Sequence, residues 1–173
     1  PENPANIRYP DQVLADLAAF CEVNPREKAQ EIRDFIVETL RSRTEYSLLV
    51  EAVPEGEDFI ENFFFGQKKG YCIHYAAAAV MMFRMYGVPA RYVTGFLIPP
   101  SMFYQNEEGI YQADVPDDHA HAWAEAYIDG RWMTVEATPP GGVPALGQEM
   151  EILPGEEALD KPSGAESVGE SGS

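Results

Sequence analysis

Residues 68–93 read KKGYCIHYAAAAVMMFRMYGVPARYV, and the fold turns on this stretch. A Gly-Tyr-Cys sequence opens an alanine-rich run that is apolar nearly all round, the mark of a helix at the centre of a domain. The run stops at Gly87 with Pro89 beyond. A glycine C-cap followed by a residue that cannot continue the helix predicts a helix over 72–86. Cys72 stands at its first position, with two lysines upstream and His74 two residues on. Three roles are open to it at this point: packing thiol, metal ligand, or nucleophile at a helix end.

On the N-terminal side the spacing predicts two more helices. Asp11 is expected to cap a short one, QVLADLAAF, over 12–20. Asn24-Pro25 is expected to open a longer one, with Asn24 as N-cap and Pro25 at the first helical position. Its stripe Ala29, Ile32, Ile36, Val37 and Leu40 has the i, i+3, i+4, i+7 signature. Residues 44–70 read as irregular and hold Tyr46, Pro54 and the aromatic cluster Phe63, Phe64, Phe65.

Downstream the period changes. Residues 90–98 are β-branched and aromatic and read as a strand; 99–118 read as a long connection with a short strand near GIYQADV. HAWAEAYI, Asp129-Gly130 and RWMTVEATP then form a hairpin around a type I′ dipeptide. Helices first and an antiparallel sheet afterwards predict an α+β fold.

The two-residue turn sets the register. Ile128 faces Arg131, Tyr127 faces Trp132 and Glu125 meets Thr134; continued outward, Trp123 meets Glu136 and His121 meets Thr138. His121, Trp123, Glu125 and Glu136 therefore share one face, with Ala122, Ala124, Ala126 and Ile128 on the other. His121 and Glu136 become diagonal neighbours roughly 7–8 Å apart, a gap that their side chains can bridge. A carboxylate beside a histidine holds the ring and stabilises the imidazolium. A cysteine at a helix N-terminus has its thiolate favoured by the dipole and the free amides. Brought together, the two halves make a Cys–His–carboxylate triad.

Composition bounds the alternatives. At 173 residues, 45% of them apolar, the chain suits one domain with a proper core. A formal charge of −17 argues against nucleic-acid partners, since such a chain releases no counterions from phosphates. No apolar run approaches the roughly 20 residues of a membrane span. Residues 147–173 carry seven acidic residues, one lysine and no aromatic, which predicts a disordered linker or tail after a domain over 1–146. With a start at Pro1 rather than Met, both ends suggest a domain excised from a longer protein. Two cysteines are too few for a disulfide scaffold, and a pairing of Cys21 with Cys72 stays open.

GYCIHYAAAAVMMFRMYGVPARYVTGF followed by AHAWAEAYIDGRWMTVEATPP resembles the bacterial transglutaminase-like superfamily, which shares the papain-like cysteine-enzyme core. The match lies in two blocks, about 59–97 and 118–140, with a looser one around Tyr46 and the helix before it. The resemblance implies a central Cys-bearing helix packed on an antiparallel sheet. Carried over residue by residue, it makes Cys72 the nucleophile, His121 the base and Glu136 the third member, where the family more often has Asp. It implies acyl transfer on amides through a thioester, with no cofactor. Its substrates would be peptides or proteins, some of them associated with the cell wall. It also implies an extracytoplasmic domain that meets the membrane only through flanking segments. A catalytically degenerate binding or structural module is the rival, supported by the Glu. Tyr46 is the candidate side-chain donor to an oxyanion, beside the Cys72 amide. Phe103, Tyr104 and Tyr111 are expected to border the cleft.

Other readings compete at single residues. Cys21 at an apolar helix end is most simply a packing thiol. His74 lies about 200° round the helix from Cys72, which suits a structural partner better than a base. His119, beside Asp117 and Asp118, is the competing base. A metal site from Cys72, His74, His119 and His121 lacks the usual spacer of two to four residues within a ligand pair. Trp123 and Trp132 are read as packing residues.

Overall fold

The computed structural model describes residues 4–10 and 14–143. Asp11, expected to cap the first helix, and the acidic 147–173 segment lie outside them.

Two helices lead the fold, α1 (Ala15–Glu22) and α2 (Ala29–Arg43). α2 buries Ile32, Ile36, Thr39 and Leu40, the inward side of the predicted stripe. Its start differs from expectation. Asn24 does not open it; its side-chain amide donates to the Phe20 carbonyl at 2.8 Å and closes the end of α1. Asn donates as readily as it accepts, and the last carbonyls of a helix need donors. α2 begins only after Lys28, which stays extended.

Residues 44–70 hold more order than their sequence suggests. Thr44 ends α2 with its hydroxyl on the Leu40 carbonyl and the Tyr75 hydroxyl, at 2.7 and 3.0 Å. β1 (Glu45–Tyr46) then pairs in parallel with β2 (Lys69–Gly70). Between them Asp58 caps α3 (Phe59–Glu61), accepting from the amides of Ile60 and Glu61, and one π turn, Asn62–Gly66, follows. That turn buries Phe63 and Phe64 against Tyr75 and Phe20. The pattern is hard to see in sequence because each piece is two to five residues long, below any periodicity.

α4 (Cys72–Met85) is the central helix, with buried residues on all sides; Gly87 terminates it at φ 72°. Three strands form the sheet beside it, β3 (Ala90–Phe96), β6 (Ala120–Ile128) and β7 (Arg131–Val135), antiparallel in the order β3-β6-β7, and β6 and β3 pack on the helix. The connection carries a small hairpin, β4 (Tyr104–Gln105) with β5 (Tyr111–Gln112). Ala122, Ala124, Ala126 and Ile128 are all buried. Their short side chains let a helix lie close to the sheet, and α4 packs on that strand.

The hairpin turns at Asp129 and Gly130, both at positive φ as a type I′ turn requires. Ile128↔Arg131, Tyr127↔Trp132 and Glu125↔Thr134 pair as the sequence predicts. The ladder stops at Ala124↔Val135, so the expected Trp123–Glu136 and His121–Thr138 pairings are not formed as strand pairs. Beyond Val135 the carbonyls of 136–138 are taken instead by Arg41 of α2. Among the described residues no helix is long and apolar enough to cross a membrane.

Candidate active site

The site begins at the turn into α4. Gly70 is required there by close approach: a Cβ would lie 2.7 Å from both His74 Cγ and Phe63 Cε2. The Tyr71 amide donates to His74 Nδ1 at 3.2 Å, and the His74 amide returns a bond to the Tyr71 carbonyl at 2.8 Å. His74 is buried and stacks on Phe59 with centroids 4.3 Å apart. Burial holds its pKa below the ordinary value, which keeps Nδ1 free to accept. His74 therefore serves the turn, on the side away from the thiol.

This turn presents Cys72 half-buried at the first position of α4. Burial by itself pushes the thiol pKa up. The neighbouring His121 and the amides of Ala122 and Ile73 outweigh it, and the net shift is downward.

His121 approaches from β6. Its side chain is fully buried, and Nε2–H donates to Glu136 Oε2 at 2.6 Å. The other carboxylate oxygen, Oε1, accepts the Thr138 amide at 2.8 Å, so both arms of Glu136 are held. The ring lies nearly parallel to Trp123 at 6.3 Å, and the outer edge of Trp123 in turn sits against Gly95, where a Cβ would meet it at 2.9 Å. Burial pulls the His121 pKa down, but Cys72 and Glu136 raise it further, to about 9. Nδ1 is buried without a hydrogen-bond partner. The Cys72 thiol and this imidazole nevertheless shift one another, by a side-chain hydrogen-bonding contact first and by charge second, although the contact falls short of a well-formed bond; such pairs are often loose without substrate. A thiol shifted down beside an imidazole shifted up favours the thiolate–imidazolium form of the pair.

A cleft of about 700 Å³ opens over these groups, lined by Tyr46, Leu48, Cys72, Phe96 and His121 among others, with Asp117 and Asp118. Tyr46 arrives through the β1–β2 pairing, which sets it beside Gly70. Its ring is covered by Gly142, where no Cβ would fit. Burial and then the Cys72 charge raise its pKa, so it keeps its O–H. Leu48 and Phe96 are 71% and 51% exposed, an apolar rim open to an incoming chain. A second depression, at Asp16, Glu57, Asp58 and Glu61, has no such chemistry. Its Glu57, Asp58 and Glu61 carboxylates are already engaged by Asn62 and by main-chain amides.

The structure thus gathers Cys72, His121 and Tyr46 around one cleft, with Glu136 reaching the site through its bond to His121. Phe103, Tyr104 and Tyr111 do not line it, contrary to expectation; Asp117 and Asp118 are the residues of that connection that do. The Tyr104 hydroxyl is bound to Asp114 and Gln112 at 2.9 and 2.8 Å, within its own hairpin. His119 spends Nδ1 on the Leu97 carbonyl at 2.7 Å. Cys21 is a buried free thiol pushed up to about 12 by burial, and it is not paired with Cys72. Sequence reading missed Arg41, Thr138 and Gly142. An arginine in the last turn of a helix is expected on dipole grounds alone, so its target left no signal.

The profile of the Transglutaminase-like superfamily matches residues 15–137. YebA, an uncharacterized protein of Bacillus subtilis, is 37% identical over 84 residues, 47% of this chain and 11% of its own length. A protein-glutamine gamma-glutamyltransferase of Pseudomonas aeruginosa is 33% identical over 84 residues, 48% of this chain and 12% of its own. The aligned part is therefore a small fraction of either curated relative. Among solved structures, the periplasmic domain of TgpA from Pseudomonas aeruginosa superposes with a TM-score of 0.64 at 26% identity, covering 76% of this chain and 46% of that one.

Proposed function

Because the chain belongs to the transglutaminase-like superfamily, we propose that it catalyses acyl transfer on amides through a Cys72–His121–Glu136 triad. The observation that carries this reading is the 2.6 Å His121–Glu136 bond, which leaves a buried, unpartnered Nδ1 in the cleft that Cys72 also lines. The thiolate attacks an amide carbonyl and a tetrahedral oxyanion forms. The Cys72 main-chain N–H at the start of α4 and the Tyr46 phenol are the donors offered to it. As the C–N bond breaks, the His121 imidazolium passes its Nδ1 proton to the leaving amine, and a thioester remains on Cys72. A second nucleophile gives its proton back to Nδ1, attacks the thioester and releases the thiolate. Water as that nucleophile makes a peptidase or amidase; an amine makes a transglutaminase.

Glu136 suits the third role although it is one methylene longer than Asp. Its second oxygen has a fixed partner in the Thr138 amide, so the added rotatable bond is restrained. The apolar cleft fits a peptide or protein acyl donor. As the Pseudomonas domain is periplasmic, the same extracytoplasmic setting is proposed here.

The test is mass spectrometry of the protein after incubation with glutamine-containing peptides, with and without an amine donor. A thioester adduct on Cys72, absent from Cys72→Ala, is expected. If no adduct forms with any peptide and Cys72 alkylates no faster than a free cysteine, the reading fails. Release of acid or of amide-linked product then separates hydrolysis from transamidation.

A further inference from the structure

We propose that Arg41, at the end of α2, is a positioning residue for Glu136, holding by its guanidinium the main chain that carries this carboxylate. The inference rests on the triad reading and concerns the support of its third member. The strand ladder ends at Ala124↔Val135, one residue short of Glu136. Sheet hydrogen bonds therefore do not set where the Glu136 backbone lies. Arg41 does: Nη2 donates to the Glu136 carbonyl at 2.9 Å and the Thr138 carbonyl at 3.0 Å, while Nε donates to the Ala137 carbonyl at 3.3 Å. The fork of the guanidinium thus spans three successive carbonyls, a geometry that a lysine ammonium does not match.

Two of the three matter directly. One belongs to Glu136 itself. Another belongs to Thr138, whose amide fixes Glu136 Oε1 at 2.8 Å. Arg41 therefore restrains both the residue that bears the carboxylate and the residue that orients it. Among the described residues Arg41 forms no ion pair, so its work is on the backbone and not on a carboxylate. Two residues away, Arg43 lies over the rings of Phe20 and Phe64 and touches none of this, which makes it an internal control.

The experiment is NMR titration of His121 in the full chain, together with the rate of Cys72 alkylation by iodoacetamide at pH 7. Wild type, Arg41→Ala, Arg41→Lys and Arg43→Ala are compared. In Arg41→Ala, Glu136 drifts from His121, and the His121 pKa falls from about 9 by about one pH unit or more, with alkylation slowed about tenfold. Arg41→Lys falls in between, and Arg43→Ala leaves both unchanged even where it lowers Tm. The sign is diagnostic, because removing a nearby cation by itself would raise the His121 pKa. A wild-type value near 9 that stays put or rises in Arg41→Ala overturns the clamp and leaves the triad reading intact. A wild-type His121 that titrates near 6.5 overturns both. Should Arg41→Ala fail to fold, the Arg41→Lys shift decides by the same criterion.

Discussion

At the scale of single residues, the site is a matter of opposed pKa shifts. The Cys72 thiol is held below its ordinary value and the His121 imidazole is raised to about 9. The reactive pair is therefore populated above the lowered thiol pKa and is lost as pH rises through about 9, where the imidazolium gives up its proton. For the proposed acyl transfer, turnover should fall on that alkaline limb, because the leaving amine loses its proton donor. Alkylation should not, since a thiolate persists there. Measuring both profiles on one preparation checks this, and coincident alkaline limbs would contradict it. Glu136→Gln removes the charge that stabilises the imidazolium and lets the ring choose the wrong tautomer. A loss of about 10²–10⁴ in kcat is expected, with His121 titrating lower. Glu136→Asp keeps the charge, and the expected loss is smaller than for Glu136→Gln.

At the scale of elements, the start of α4 is the sensitive point. Gly70→Ala puts a methyl 2.7 Å from His74 and Phe63, two buried rings with little room to retreat. A destabilisation of about 1–3 kcal/mol is expected from the overpacking. The displaced turn should also slow Cys72 alkylation, and chemical denaturation with iodoacetamide kinetics reads both. Ile36→Ala, in the buried stripe of α2, should cost a similar or larger 2–5 kcal/mol, roughly the range for such truncations, with no change in the Cys72 pKa. α2, α4 and the hairpin were legible in sequence because each has a clear period or turn chemistry over eight or more residues. The paired faces of β6 followed from Asp129-Gly130 alone. The pieces between 44 and 70 were not legible, since their pairings and caps are set by neighbours. Asn24 misled for a related reason: the residue type fits either helix end, and only the chain geometry chose the Phe20 carbonyl.

At the scale of the whole molecule, charge is the dominant fact. With 29 acidic against 12 basic residues, the folded chain repels itself, and salt screens that repulsion. Tm should rise by a few degrees from about 10 to 150 mM NaCl; a fall would show that the ion pairs outweigh the net repulsion. The same scale divides what was written in the chain from what folding supplied. Sequence by itself determined the central helix with Cys72 at its head and the alanine face that receives a packed neighbour. It also determined the hairpin register from Ile128↔Arg131 out to Glu125↔Thr134, because periodicity and turn residues act over short spans. Only the tertiary structure decided that β7 ends before Glu136, that Thr138 and Arg41 take over its placement, and that Tyr46 reaches the cleft through β1 and β2. Those contacts join residues up to 97 positions apart. No local pattern encodes them; they exist because packing α2 and α4 together with the sheet brings the partners within hydrogen-bond reach.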